Sequence, residues 1–491
     1  MKNLLLSFII QVLLVGNILA QALPIAIDGR FDDWPASLAN YEDKIGDGAD
    51  IDLLSFSVSN DSSYLFIKFE MANELLLNSN NELFLEIDTD NDSTTGININ
   101  GIGADLEWNF AKMYGKYYAA NGFDTVRQSN ISLLGLPTVS SNVYELAIRR
   151  NIKPVGKNSL FKNNNIKICF VDKKLNGDFM PDLGEKYSYS FDSSPVPLYK
   201  VVDLEKQNAQ FIRVMTYNTL WGGIVDTLRQ NAFKRIIIAV NPDIITFNEC
   251  WKVKSSEVKN LLNKWLPLND NKSWNCIKVD SANITCSKFH VKQTWRINKK
   301  FRMTASLINL PEIYKQDILA INCHFVCCQN NERRQAEADA FINFIIDLKT
   351  KGGVIDLPYG TPFFMSGDLN LVTYSQQLKT LLTGNIIDTE TFGEPQKPDW
   401  NDKDLLDVIS LHTDQRMAYT WRDSKLPFCP GRLDYTICSQ VNMTVEKAFT
   451  LETNSMSNER LRKYGLFKTD THVASDHLPK VTDFSIPVFK K

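Results

Sequence analysis

Near the end of the 491-residue chain, Ser475-Asp476-His477 sets a carboxylate and an imidazole side by side, just ahead of Leu478-Pro479. Four earlier fragments share one build, in which an apolar or β-rich run stops and a reactive polar group follows. They are Tyr217-Asn218, Phe247-Asn248-Glu249, Asn322-Cys323-His324 and Ser366-Gly367-Asp368-Leu369-Asn370. A sixth, Gly431-Arg432-Leu433-Asp434-Tyr435, sets an aspartate inside a strand-like run. Singly, each reads as an ordinary turn or strand end. Together they supply hard oxygen ligands, side-chain amides and two imidazoles. That set suits a metal-assisted attack of water on phosphorus: oxygen donors select Mg²⁺ or Mn²⁺ over softer ions. A carboxylate can orient or deprotonate the water, and an imidazole can face the phosphoryl group as charge builds on it.

Groups spread from Asn218 to His477 meet only if regular elements bring their ends together. Residues 211–217, 243–247, 318–323 and 362–365 read as buried strands that lead straight into polar residues. Residues 226–240 (Leu228, Phe233, Ile236, Ile237, Val240) and 332–348 have the apolar spacing of helices. This alternation predicts a layered α/β domain with its chemistry at strand ends. The first half differs. Residues 55–58, 64–69, 82–87 and 144–148 are short alternating runs, with a polar turn at Asn60-Asp61-Ser62-Ser63 and no long helical period, which predicts an all-β sandwich.

The expected organisation is therefore a signal peptide at 1–22, a β-sandwich at 23–195, a linker at 196–209 and an α/β domain at 210–491. The leader is read from Lys2, the apolar run 4–20 and the small-x-small pattern Ala20-Gln21-Ala22; it implies a secreted or periplasmic protein. No later stretch approaches a membrane span. An apolar fraction of 44% with 23% charged residues excludes a disordered or membrane-embedded chain. Residues 1–200 carry a net charge of about −8 and residues 201–491 about +5, which suits an anionic substrate without the basic bias of a dedicated nucleic-acid binder. The nine cysteines are odd in number and, Cys169 apart, lie after residue 240; none forms a Cys-x-x-Cys pair, which argues against zinc.

The reactive fragments resemble the endonuclease/exonuclease/phosphatase superfamily, with its deoxyribonuclease I-like fold, over residues 210–486. The resemblance is most specific at Met215-Thr-Tyr-Asn218, Gly367-Asp-Leu-Asn370, Arg432-Leu-Asp434 and Ser475-Asp-His477. It implies an α/β sandwich of two packed β-sheets flanked by helices, and hydrolysis of phosphate esters with a divalent metal, Mg²⁺ or Mn²⁺. The implied roles are these. Glu249, Asp476 and Asn218 hold the metal, and Asp368 activates water. Asn370 steadies that water or a phosphoryl oxygen. His477, oriented by Asp434, faces the phosphoryl group, and His324 donates to the leaving oxygen or clamps phosphate. Asn218 and Asn370 would touch substrate. Outside the resemblance, Arg334, in Arg333-Arg334-Gln335 at the start of the helix after His324, fits either a phosphate contact or a solvated helix face. The proline expected after Ser287-Lys288-Phe289 is absent, and His290 stands there instead. The basic stretch 292–302, with Trp295 and Phe301, fits either a nucleic-acid track or a lysine-protected hairpin edge.

In the first half, Ile27-Asp28-Gly29, Asp33-Trp34 and Asp88-Thr-Asp90-Asn-Asp92, followed by Thr95-Gly96 and Asp105, resemble carbohydrate-binding family 9-like and DOMON-like β-sandwich modules. Alternate aspartates gather oxygen ligands for Ca²⁺, so Asp88, Asp90 and Asp92 are candidate calcium ligands. A glycan partner would need aromatic platforms, for which Trp34 and Trp108 are the candidates. The substrate of the second half stays open among a nucleic acid, a phospholipid of the sphingomyelin type and a sugar or inositol phosphate. The non-enzymatic alternative is an inactive glycan-binding or adhesion protein.

Overall fold

Side chains alternate between two faces along the strands of the second half, and that alternation builds its layers. The computed structural model describes residues 24–488 apart from 36–37, 120–121, 157, 194–195 and 197–198. The expected leader lies outside the described residues. Along the strand Ile212–Asn218, Ile212 and Val214 point to one core while Met215 and Tyr217 point to another.

Two six-stranded sheets follow from this pattern. The first runs in the order Asn275–Ile277, Ile284–Ser287, Ile244–Asn248, Ile212–Asn218, Lys480–Ser485, Thr444–Thr450. The second runs His290–Arg296, Met303–Asn309, Asp317–His324, Phe363–Asp368, Asp434–Cys438, Leu406–Asp407. Their inner faces meet through Val214, Ile244, Ile308, Ile318, Phe364 and Phe484. Helices Gln230–Val240 and Ser255–Trp265 cover the outer face of the first sheet through Phe233, Ile237, Val258 and Leu262. Helices Asn331–Lys349 and Ser375–Thr383 cover the second through Phe341, Ile345 and Leu381. This half is an α/β sandwich.

The parallel pairs decide where the chemistry lies. Within otherwise antiparallel sheets, Ile212–Asn218 runs parallel to Ile244–Asn248, and Asp317–His324 runs parallel to Phe363–Asp368. Parallel strands deliver their carboxyl ends to one rim, so Asn218 lies opposite Asn248 and His324 opposite Asp368. The antiparallel neighbour then begins with Asp434 opposite Asp368. Gly367 is required by this register. It has φ +147°, and a Cβ there would lie 1.8 Å from the Cys323 carbonyl oxygen on the adjacent strand.

The adjacent strands Ile212–Asn218 and Lys480–Ser485 of the first sheet are locked by a fully buried pair. Arg213 donates through Nε and Nη2 to the two carboxylate oxygens of Asp483 at 2.6 and 2.7 Å, and through Nη1 to the Val240 carbonyl at 2.7 Å. Cys276 and Cys286 are disulfide-bonded across neighbouring strands of the same sheet; the other seven cysteines are thiols.

Residues before 191 form a five-stranded and a seven-stranded sheet around Phe56, Phe69, Leu85, Trp108 and Phe170, with a two-stranded ribbon at Ile97–Ile99 and Ile102–Ala104, antiparallel in every pairing. This half docks on the second through its first described residues. Ile27 pairs with Met417, donating its N–H to the Arg416 carbonyl at 2.8 Å and accepting the Ala418 N–H at 2.9 Å. Ile25, Ile27, Trp34 and Leu136 bury Met417 and Ala418. The helix expected at 226–240 begins later, at Gln230, because a 3₁₀ turn at Gly223–Val225 precedes it and the Asp226 carboxylate caps the Leu228 N–H at 2.9 Å. Among the described residues no helix is long and apolar enough to cross a membrane.

Candidate active site

Where the strands end, Asp368 is the hub. It is 2% exposed, and its Oδ2 accepts an N–H from Asn218 at 2.9 Å. The same oxygen lies 3.6 Å from His324 Nε2 and 3.8 Å from His477 Nε2. Its Oδ1 accepts the backbone N–H of Asn370 at 3.0 Å, and its own N–H is held by Asn248 Oδ1 at 2.9 Å. Asn370, with φ +48°, donates its side-chain amide to the Phe325 carbonyl at 3.2 Å. Asn218 also donates to Glu249 Oε1 at 3.3 Å, so one amide links two carboxylates drawn from different strands. Residues far apart in sequence thus converge around one small space.

The two imidazoles are in opposite electrical states. His477 Nδ1 lies 2.7 Å from Asp434 Oδ2. Burial pulls the His477 pKa down, but the charges of Asp434 and then Asp368 overrule it and hold it up at about 10. The ring is therefore an imidazolium across the neutral range, with Nδ1–H donated to Asp434 and Nε2–H aimed into the space beside Asp368. His324 is pushed well below the usual imidazole value, first by burial and then by the positive charges of Arg302 and His477. It is a neutral ring. Burial raises the Asp368 pKa to about 7, against the opposing pull of His477. A carboxyl group poised there can accept a proton near neutral pH.

The residues fit a divalent cation. Ligand atoms of Glu249, His324 and Asp368 all lie within 4.8 Å of one another. Asp434 Oδ1 is buried with no hydrogen-bond partner among the described residues. Carboxylates outnumber the one imidazolium in this space, an excess a cation would offset. Asp476, expected to be a metal ligand, lies outside that grouping. Its Oδ2 accepts the Trp421 indole N–H at 2.9 Å and its Oδ1 accepts Ser475 Oγ–H at 3.3 Å. Arg334, expected at the substrate, is fully buried. Its guanidinium is spent on the Val326 carbonyl at 3.1 Å, Asn331 Oδ1 at 2.9 Å, Thr373 Oγ1 at 3.0 Å and the Cys328 carbonyl. It fixes the loop after His324, with its donors spent there.

Sequence reasoning missed the groups that hold these side chains. Thr420 Oγ1 accepts the backbone N–H groups of both Leu433 and Asp434, at 3.0 and 2.8 Å. Trp421 forms bridges with Gly431 and His477 while its indole holds Asp476. A threonine and a tryptophan in a short irregular stretch carry no periodic signal, so only their proximity to the rim reveals them. The basic stretch 292–302 begins on an edge strand, where exposed Lys292 pairs with Asp317 at 2.7 Å.

In the first half, the expected aromatic platforms are core residues. Trp34 is 7% exposed and donates its indole N–H to Glu145 at 3.1 Å, and Trp108 is 1% exposed, so neither presents a face to a glycan. The aspartates that gather are Asp88, Asp90 and Asp105. Asp92 is turned away and accepts from Thr94 at 2.7 and 2.9 Å. Lys167 already sits 2.9 Å from Asp88, and Lys162 sits 2.8 Å from Asp90, so ammonium groups occupy the positions from which a cation would balance the charge.

No protein-family model and no curated protein sequence matches the chain. Several solved structures are similar to a little over half of it. An endonuclease/exonuclease/phosphatase family protein from Bacteroides thetaiotaomicron is 12% identical, with a TM-score of 0.35 over 57% of this chain and 98% of that one. ANGEL2, described as a 2',3'-cyclic phosphatase, is 15% identical, with a TM-score of 0.37 over 56% of this chain and 95% of that one. D. rerio TDP2, solved with a single-strand DNA product, is 13% identical, with a TM-score of 0.35 over 56% of this chain and 99% of that one. Likenesses this distant carry no argument about activity, which rests on the residues themselves.

Proposed function

We propose that the chain is an exported, divalent-metal-dependent phosphoesterase, foremost a phosphodiesterase of the nuclease type. The observation that carries this reading is the convergence of Asn218, His324, Asp368 and the His477–Asp434 pair on one space at the strand ends. Glu249, from the grouping with His324 and Asp368, would hold the ion with Asn218; Asp476, outside that grouping and held by Trp421, would complete the set from the far end of the chain. When bound, Mg²⁺ or Mn²⁺ neutralises phosphoryl oxygens and lowers the electrostatic barrier to an approaching nucleophile. Asp368, with its pKa raised to about 7, takes a proton from the attacking water. The His477 imidazolium, held by Asp434, aims Nε2–H at a phosphoryl oxygen and stabilises the charge that develops there. Neutral His324 offers one ring N–H to the leaving oxygen, and Asn370 lines the same space.

The test is turnover by the purified protein on DNA, RNA, sphingomyelin and sugar phosphates with Mg²⁺ or Mn²⁺, and again after EDTA. Metal-dependent release from at least one ester, abolished by chelation, is expected. Turnover that survives EDTA removes the metal from the reading. No turnover on any ester, by a protein that binds glycans, replaces it with the non-enzymatic alternative.

A further inference from the structure

Beyond the strand Ile212–Asn218 the backbone does something uncommon. Leu220, Trp221 and Gly222 all take the left-handed conformation, with φ +46°, +57° and +75°. Only glycine adopts it without a steric cost, so two successive larger residues there need outside support. The support comes from the site: Asn218 Oδ1 accepts the Leu220 N–H at 3.0 Å, and Glu249 Oε2 accepts the Trp221 N–H at 2.9 Å. Arg229 holds the Leu220 carbonyl at 2.7 Å. The product of this strained turn is an indole that is 77% exposed, anchored by its backbone to a carboxylate of the reactive cluster. Strain kept at a site in order to present a large ring to water indicates binding.

The ring is the outer end of a row of aromatic side chains, tilted against one another, that runs from exposed Trp221 through half-buried Trp251 to buried His324. Trp221 lies 6.2 Å from Trp251 between ring centroids, and Trp251 lies 5.7 Å from His324. The indole N–H of Trp251 has no hydrogen-bond partner among the described residues. Cationic groups border the surface. The Arg302 guanidinium sits 5.2 Å from the Trp251 ring centre and donates to the carbonyls of His324 and Phe325 at 3.0 and 2.9 Å. Beyond it, exposed Arg333 donates to the carbonyl of exposed Lys300 at 3.2 Å.

We propose that Trp221 and Trp251, with Arg302, form a stacking subsite for an unpaired base of a single-stranded nucleic acid whose scissile phosphate sits at Asp368 and His477. The inference rests on the phosphoesterase reading above and names its substrate class. Aromatic faces beside a cationic rim match a strand whose bases are exposed and whose backbone is polyanionic. A zwitterionic lipid headgroup carries no net charge for that rim to attract, and a paired base has both faces covered.

The experiment compares two oligonucleotides of equal length and backbone, one of thymidine and one wholly abasic, cleaved by the full-length protein in Mg²⁺. The ratio of kcat/KM for the base-bearing strand to that for the abasic strand is expected to exceed about 10 in the wild type. In Trp221→Ala that ratio falls about 10-fold, and Trp221→Phe restores most of it. A wild-type ratio near one, or a ratio unchanged in Trp221→Ala, overturns the subsite and leaves the phosphoesterase reading standing. Hydrolysis of sphingomyelin vesicles in place of either strand, with Trp221→Ala losing vesicle binding, also overturns the subsite in favour of a lipid surface. Absence of turnover on every phosphate ester overturns the reading beneath it.

Discussion

Replacing Asp434 with asparagine should change the shape of the pH–rate profile as well as its height. In the wild type, Asp368 must lose its proton and His477 must keep its own. The rate should therefore rise through about pH 7 and hold until about pH 10, the values at which burial sets Asp368 and the Asp434 and Asp368 charges set His477. Asp434→Asn removes the carboxylate 2.7 Å from Nδ1. Burial, the largest single influence on that ring, then acts with less opposition, and the His477 pKa drops toward or below its ordinary value of ~6.5. At a pKa of ~6.5 the imidazolium would be ~10% of the population at pH 7.5, a loss of ~10-fold in kcat. Lowering the pH does not rescue it, because burial holds the Asp368 pKa near 7 while the weakened His477 pull and the lost Asp434 charge act on it in opposite directions, so Asp368 protonates over the same range. The plateau should collapse to a narrow, depressed maximum. Stability follows the same linkage. A ring raised from ~6.5 to about 10 on folding contributes stability that is full below ~6.5 and is lost as pH rises through about 10. The assay is kcat from pH 5.5 to 10.5 on one phosphodiester, with thermal melts at each pH. A variant that keeps the wild-type plateau at pH 9 would refute the claim that Asp434 maintains a catalytic imidazolium.

Asp368→Asn, nearly isosteric, should lower kcat by ~10²–10⁴ with little change in melting temperature, since the amide cannot accept the proton of water; near-normal turnover counts against its role as base. Trp421→Phe leaves the Asp476 carboxylate without its indole donor and should raise the Mg²⁺ concentration for half-maximal rate by ~10-fold or more, measured by metal titration. An unchanged titration would separate Asp476 from metal binding. Asp483→Ala strands the buried Arg213 guanidinium and should cost ~3–5 kcal/mol in denaturant unfolding. Gly367→Ala drives a methyl into the Cys323 carbonyl and should give either insoluble protein or a melting temperature lower by several degrees; a soluble variant with wild-type melting would contradict the strand register.

The polar strand ends were legible because each closes an apolar run: a polar residue in a buried strand needs a partner, and one that ends the run marks a rim, whereas one inside it, as at Arg213 and Asp483, marks a buried pair. Helix boundaries were legible only to within a few residues, as at Gln230, where a capped turn rather than apolar spacing sets the start. Arg334 was misread because periodicity places a residue on a helix face without saying what covers that face. Whether Trp34 and Trp108 were platforms or core was open for the same reason, since composition does not distinguish an exposed ring from a buried one, and both prove to be core.

The sequence by itself determined the layered α/β half, the all-β half, and the inventory of carboxylates, amides and imidazoles, because strand period and residue chemistry are local properties. Only the tertiary structure decided how those groups act. The parallel register of two strand pairs put His324 against Asp368 and Asn218 beside Glu249. Unequal surroundings then made one imidazole a cation and the other neutral. Charge state depends on what lies within a few ångströms through space, and chain position alone does not fix it.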